Sequence, residues 1–513
     1  MSDCPTMNTL PRRIHEACLP WSAKRPEGLA LVDSRLALRY GELPTLLEQL
    51  ASTLSGLGIR AGDRVLLVGE NSVALAVTIL ALSRLDAWSA TVNPRLSSRE
   101  IGGFLAHSGA RRALYFGETS ADAANHGEAV GAETVAFPVI GNVLVGPLAD
   151  AVPEPVFDDG AEQVAALVYT SGTTGAAKAV MLTHRNLAFI GANSRALRGL
   201  VPDDQVYGVL PLSHVYGLSA LLIASLISGA CLRLVARFEP DVLAHALAAE
   251  GVTVLHGVPA MYARLLDWCR RKGVPLTVPS LRVAQSGGSP LTLPLKQAFE
   301  AASGLVLNNG YGMTEAAPSV CQTRMDKPRS DCSAGQAIPG IELRLDGQEG
   351  EDQVGELWVR GPNVMKGYYR APEATAEVLT PDGWLRTGDL ARIDPDGAVF
   401  IVGRAKELII RSGFNVYPVE VEQVLNAYAD VVQSAVVGRE VDGNEEVIAF
   451  VEVVPGHDLD LGALARHLRA NLSPYKIPAH IEVLEHLPAA ATGKILKAEL
   501  RRIAGGLGNT ASS

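Results

Sequence analysis

Through about residue 400, short runs of β-branched and other apolar residues alternate with longer stretches whose apolar positions recur every three or four residues. Residues 64–68 read as a strand and 72–85 as a helix. The pair recurs at 252–256, followed by a helix that Pro259 opens at its first position, where a missing N–H costs nothing. It recurs again at 281–286 and 292–302. Repetition of this kind predicts α/β architecture, with mostly parallel sheets covered by helices.

After about residue 385 the pattern changes. Residues 390–394 and 398–402 flank Asp394-Pro395-Asp396-Gly397, a strong hairpin signal. A strand at 407–411, a helix opened by Pro418, paired apolar runs at 431–437 and 447–454, and a helix at 461–471 follow. This tail is about 110 residues, the size of a small α+β domain. The boundary is placed at Gly403-Arg404, giving a large N-terminal domain of βα-built sheets over 1–403 and a small C-terminal domain over 404–513.

Composition supports two domains, since 513 residues exceed what one hydrophobic core holds. Apolar residues make up 48% and charged residues 19%, which excludes a disordered or collagen-like chain. A net charge of −10 without a run of five basic residues argues against nucleic acid as a partner. Residues 205–232 carry no formal charge, but Pro211, His214 and several Ser and Gly interrupt them. The uninterrupted part, 218–232, falls short of the roughly 20 residues a membrane span needs and reads as a buried helix. The six cysteines include no CxxC pair and no Cys/His cluster with zinc-ligand spacing. With no secretory pattern at the N-terminus and no peroxisomal address in Ala511-Ser512-Ser513, a cytoplasmic location is the expectation. Nothing in the pattern sets an oligomeric state.

The most informative stretch is Tyr169-Thr170-Ser171-Gly172-Thr173-Thr174-Gly175-Ala176-Ala177-Lys178, between an apolar strand at 164–169 and a helix that Thr183 can cap. Glycines let the backbone approach a ligand, hydroxyls and free amides donate to phosphate oxygens, and a lysine closes the loop. Polyphosphate binding is the chemistry suggested, although the spacing is not that of a Walker loop.

This stretch resembles the phosphate loop of the adenylate-forming superfamily, which contains acyl-CoA synthetases, adenylation domains of peptide synthetases and beetle luciferases. Four more segments match in order. Asn309-Gly310-Tyr311-Gly312-Met313-Thr314-Glu315 is similar to the adenine and magnesium segment, and Trp384-Leu385-Arg386-Thr387-Gly388-Asp389-Leu390 to the ribose segment. Gly403-Arg404-Ala405-Lys406-Glu407-Leu408-Ile409-Ile410-Arg411-Ser412-Gly413 is similar to the inter-domain hinge, and Pro488-Ala489-Ala490-Ala491-Thr492-Gly493-Lys494-Ile495-Leu496 to the catalytic lysine loop.

The resemblance implies a carboxylic acid–CoA ligase using ATP, Mg²⁺ and CoA. It assigns Thr170, Ser171, Gly172, Thr173, Thr174, Gly175, Lys178, Gly287, Gly288, Asn309, Gly310, Tyr311 and Gly312 to the nucleotide, Asp389 to the ribose, Arg404 to the ribose or the phosphate, and Thr314 to the α-phosphate. Glu315 becomes the magnesium ligand, a hard oxygen donor suited to that ion. Lys494 becomes the lysine that reaches carboxylate and α-phosphate together. Lys406 becomes the hinge of a mobile C-terminal domain, and Ser412, Gly413 and Phe414 face CoA. The acyl pocket is expected between Val215, Tyr216 and Gly217, with His214 as a gate at its mouth, and the loops at Ser286 and Asn309. Its named walls are small or apolar, with no Arg or Lys for a distal carboxylate, so an uncharged fatty or aryl tail is expected.

Two departures stand out. Ala177 and Ala179 replace the family's Pro and second Gly, which predicts a more mobile loop and a weaker hold on ATP. Ser412 stands where coumarate ligases and luciferases carry lysine. The rival activities are an acyl-AMP ligase loading a carrier protein, disfavoured because no carrier module follows residue 505, and a luciferase-like oxygenase.

Overall fold

The computed structural model describes residues 9–170, 178–349, 353–411, 414–428, 430–441, 444–453, 459–489 and 495–507. Two large sheets dominate the N-terminal part. In the first, the strand order is Leu307–Asn308, Val283–Ser286, Val254–Gly257, Gln205–Gly208, Cys231–Leu234, Leu29–Val32 and Ala37–Arg39, parallel except for the last pair. The second has a parallel centre, Arg112–Tyr115, Arg64–Val68, Trp88–Val92 and Val164–Thr170, with antiparallel strands added on both edges. Arg64–Val68 and Trp88–Val92 are buried at every position, as parallel strands covered on both faces must be.

The helix Val73–Arg84 is buried almost all round, so its sequence lacks a polar stripe and reads as nearly continuous apolar residues. Ser72 starts it by accepting from the Leu75 N–H at 3.2 Å.

The βα pattern does not run to residue 400. From Glu342 the chain builds a four-stranded antiparallel sheet, Glu342–Glu349, Val354–Arg360, Leu385–Ile393 and Val399–Arg404. Its strands are joined without a crossover of helical length between the first two and the last two, which antiparallel pairing permits. The expected hairpin is present, with Gly397 at φ +83° and its N–H donating to the Asp394 carbonyl at 2.8 Å.

The uncharged stretch is also corrected. Helix covers Tyr216–Ile223, with π-type turns, and Ala224–Ser228, but it stops well short of residue 232. Gly229, at φ +75°, ends it in the left-handed conformation, and Cys231–Leu234 is a strand. Among the described residues no helix is long and apolar enough to cross a membrane.

The C-terminal part has its own core. Val431–Val441 and Asn444–Val453 pair antiparallel, and His480–Leu484 joins parallel to the second. Val436, Val447 and Ala449 pack toward the helices Pro418–Asn426 and Leu461–Asn471, whereas Ala435, Val437 and Ile448 pack toward Lys497–Gly506. Side chains alternate along a strand, so a sheet covered on both faces needs apolar residues at successive positions.

Candidate active site

The phosphate stretch is the connection of a hairpin. Val164–Thr170 pairs antiparallel with Lys178–Thr183, Thr170 opposite Lys178, and only then does the helix His184–Arg198 begin. Thr183 caps it as expected, accepting from the Asn186 N–H at 3.2 Å. The strand Lys178–Thr183 therefore lies between the stretch and the helix. Ser171, Gly172, Thr173, Thr174, Gly175 and Ala177 lie outside the described residues, as do Ser412, Gly413 and Lys494.

Lys178 and Glu315, far apart in sequence, are joined by a residue the motifs did not single out. Tyr368 pairs in register with Val180, and its ring lies 4.7 Å below the Lys178 ammonium. Its hydroxyl donates to Glu315 Oε1 at 2.7 Å, and the Glu315 carbonyl accepts from the Met365 N–H at 2.9 Å. Burial, then the Glu315 charge, holds the Tyr368 phenol protonated far above its ordinary range. Glu315 is half-buried beside the buried Thr314, an oxygen donor set that fits a hard divalent ion facing a polyphosphate.

Asp389 is the centre of a second group. It sits opposite Arg404 in the antiparallel register, with Arg404 Nε 3.0 Å from Oδ1 and the Tyr311 hydroxyl 2.5 Å from Oδ2. Thr387 Oγ1 accepts from the Asp389 N–H at 3.0 Å. Burial, reinforced by Asp389, raises the Tyr311 phenol far above its usual value. Tyr311 lies on the strand Gly310–Gly312, which pairs with Ser319–Gln322 closely enough that a Cβ at Gly312 would stand 2.2 Å from the Pro318 carbonyl oxygen. Asn309 donates its amide to the carbonyls of Cys332 and Ser333, while its buried Oδ1 has no partner among the described residues. Such an acceptor suits a ligand donor, as on a purine edge.

The residues expected to wall the acyl pocket meet where Tyr216 approaches Gly287. His214 Nδ1 accepts from the Tyr216 N–H at 3.2 Å, Val215 is buried, and a Cβ at Gly217 would stand 2.2 Å from the Pro211 carbonyl oxygen. The Tyr216 ring comes within 3.3 Å of the Cβ position of Gly287, beside buried Ser286 and beside Gly288, whose φ of +80° calls for glycine.

The wall is not backed by apolar residues alone. Arg198 is fully buried behind it, donating from Nη1 to the Thr323 carbonyl at 3.1 Å, and His256 packs edge-on against Tyr216 at 5.8 Å. The sequence hid Arg198 because a cation in a helix's last turn is ordinarily a surface residue facing the dipole.

In the C-terminal part, Lys406 is exposed on a 3₁₀ turn, Ala405–Glu407. Glu407 pairs with Lys497 at 3.1 Å, and Lys497 also reaches Glu422 at 2.7 Å. Phe414 is exposed and stacks on Tyr475, centroids 4.7 Å apart.

Two family models match the chain, one described as AMP-binding enzyme over residues 19–369 and one as AMP-binding enzyme C-terminal domain over 420–494. The chain belongs to this adenylate-forming family. It is 37% identical to a feruloyl-CoA synthase of Amycolatopsis sp, covering 94% of this chain and 98% of that one. It is 33% identical to 4-coumarate–CoA ligase 5 of Oryza sativa subsp. japonica, covering 96% and 95%. Among solved structures, ATP-bound MatB from Rhodopseudomonas palustris superposes with a TM-score of 0.82 at 29% identity, over 96% of this chain and 99% of that one. The o-succinylbenzoate CoA synthetase of Bacillus subtilis with its acyl-adenylate gives 0.80 at 28%, over 95% and 98%.

Proposed function

We propose that the protein is an ATP-dependent ligase that activates a carboxylic acid of the fatty or aromatic kind as its acyl-adenylate and passes the acyl group to CoA. The similar feruloyl-CoA synthase, 4-coumarate–CoA ligase and indoleacetate–CoA ligase favour the aromatic branch over the fatty one, which a long-chain-fatty-acid–CoA ligase represents at 32% identity. The observation that carries the reading is the meeting of Lys178, Tyr368 and Glu315 beside a ribose-type acceptor, Asp389, held by Tyr311 and Arg404.

In the first step a carboxylate oxygen bonds to the α-phosphorus of ATP, the bond to the β-phosphate oxygen breaks, and pyrophosphate leaves. Both reactants are anions, so the site's task is to hold them together and offset charge. Lys178 and the loop before it take the outer phosphates, Thr314 donates to the α-phosphate, and Lys494 bridges it to the carboxylate. Asp389 accepts from the ribose diol. Glu315, oriented by Tyr368, would hold Mg²⁺, which when bound would offset the phosphate charge. In the second step the CoA sulfur bonds to the acyl carbonyl carbon, AMP leaves with the electron pair of the acyl–oxygen bond, and the thiol proton passes to solvent.

The same lysine is not needed twice, so we assign Lys494 to the first step and the face carrying Phe414 to the second. The small domain turns between them about Lys406, on the short turn after Arg404. Pyrophosphate release over a panel of fatty, aryl and dicarboxylic acids, with and without CoA and with thioester read by mass, tests the reading. Thioester from no acid sinks it. Transfer to a carrier protein alone, or light and decarboxylated product with oxygen, assigns the chain to one of the rival activities. Lys494→Ala is expected to lose adenylation and keep thioester formation from supplied acyl-AMP.

A further inference from the structure

Buried polar atoms left without partners concentrate behind the acyl wall. Arg198 is 0% exposed and His256 2%, yet Arg198 Nε and Nη2 and both His256 ring nitrogens have no hydrogen-bond partner among the described residues. Gln285 Oε1 and Ser286 Oγ, on the strand next to His256, are equally unpartnered. A buried side-chain donor ordinarily has a partner, and an uncompensated buried guanidinium is among the most costly groups a fold can keep. One orphan could belong to local packing. Four neighbouring residues with six orphaned atoms mark a place where a ligand supplies what the protein does not.

The geometry ties this group to the acid's binding place. His256 lies edge-on to Tyr216, whose ring abuts Gly287, and the Gln285 side-chain amide stands 3.1 Å from the Cβ position of Gly310. Those are the tyrosine and the two glycine loops between which the acid's tail is expected. Among the described residues the Arg198 guanidinium donates to the Thr323 carbonyl alone. Tyr216 and Tyr262 act electrostatically on it. Tyr262 is already engaged, its hydroxyl donating to the Gln285 carbonyl at 2.8 Å.

We propose that Arg198, with His256, forms a polar floor to the acyl pocket that selects acids bearing an oxygen acceptor at the end remote from the reacting carboxylate. This rests on the ligase reading and replaces the expectation of a wholly apolar pocket. A second carboxylate is the strongest complement to the guanidinium, because it offsets the charge and accepts both free N–H groups in the paired geometry arginine prefers. A ring hydroxyl or carbonyl is the weaker one. An acid ending in hydrocarbon leaves the buried donors unpaired, and sites built to bond a polar group reject the analogue lacking it far more strongly than apolar pockets reject an extra group.

The test is a set of matched acids, cinnamate with its 4-hydroxy and 4-carboxy forms and octanoate with its α,ω-diacid, assayed for thioester formation on wild type, Arg198→Lys and Arg198→Met. Wild type is expected to favour the oxygen-ended member of each pair by roughly 10–100-fold in kcat/KM, mostly through KM. Arg198→Met is expected to lose or reverse that ratio, and Arg198→Lys to retain part of it. The ratio of two acids on one preparation is independent of how much of the variant has folded, so a purely structural role for Arg198 lowers both rates and leaves the ratio unmoved. Equal use of both members by wild type, or a ratio unchanged in Arg198→Met, overturns the proposal while leaving the ligase reading intact. Thioester from no member defeats the ligase reading itself.

Discussion

Tyr368 holds Glu315 through a hydrogen bond of 2.7 Å while the face of the same ring receives the Lys178 ammonium at 4.7 Å. One side chain thus sets the position of both the acid and the base expected to face the polyphosphate. A carboxylate bonded at one oxygen keeps its other oxygen pointed in a fixed direction, which is what a metal ligand requires. Tyr368→Phe removes the bond and keeps the ring. Adenylation is expected to fall about 10-fold, the effect of losing about 1.4 kcal/mol. Part of the loss should return at high Mg²⁺. Pyrophosphate release titrated with Mg²⁺ measures both, and a Mg²⁺ dependence identical to wild type would remove Tyr368 from the account.

Asp389 is shared between Arg404 and Tyr311. The two donors fix the orientation of its carboxyl group, ready to accept from a diol. Asp389→Asn loses the charge that pairs Arg404, so KM for ATP is expected to rise roughly 10–100-fold with a smaller change in kcat. Discrimination between ATP and 3′-deoxy-ATP should shrink in the variant. Undiminished discrimination would show that the ribose is read elsewhere.

Much of this site was legible in the sequence because its parts sit in local, glycine-marked turns. Gly312 and Gly217 are close to backbone carbonyls where no side chain fits, and such requirements are written one residue at a time. Tyr368 and Arg198 were not legible, since each acts across the fold: Tyr368 reaches Glu315 from an edge strand, and Arg198 faces inward from a helix end that normally meets solvent. The start of the antiparallel sheet at Glu342 was missed for a similar reason, because apolar runs show strands but not the direction of their partners. The small domain's hairpin and its helices at Pro418 and Leu461 were legible as local pairs, whereas the strand His480–Leu484, which joins parallel to Asn444–Val453, and the helix Lys497–Gly506 were not. Its Lys497 bridge to Glu407 and Glu422 was missed, being a contact between distant segments.

His256 gives the buried polar group a signature in pH. Burial, and after it the Arg198 charge, lowers its pKa to about 3 from an ordinary value near 6.5. The unfolded chain therefore takes up a proton at this residue near pH 6.5, whereas the native chain refuses it until about pH 3. The unfolded state binds more protons throughout that window, so the contribution of His256 to stability is complete above pH 6.5 and declines as pH falls, by at most about 1.4 kcal/mol per pH unit. His184, buried and likewise lowered, adds in the same direction. Urea unfolding of wild type and His256→Phe between pH 7 and 4 checks this, and the variant is expected to show the shallower slope. Parallel slopes would place the imidazole in contact with solvent.

Gly217 tests whether the acid pocket depends on one close backbone approach. The helical turn starting at Tyr216 passes so near the Pro211 loop that a Cβ at Gly217 would lie 2.2 Å from one carbonyl oxygen and 2.5 Å from that of Leu210. Both obstacles are backbone, so the turn itself must move, and it carries His214 and Tyr216 with it. Gly217→Ala is expected to cost about 1–3 kcal/mol of stability and to raise KM for the acid more than KM for ATP. Gly102→Ala is the comparison, since a Cβ there meets open space within the helix Ser98–Ser108 and should stabilise slightly. If Gly217→Ala raised both KM values equally, the displacement would extend beyond the acid pocket to the nucleotide, and His214 and Tyr216 would not form a separate acyl wall.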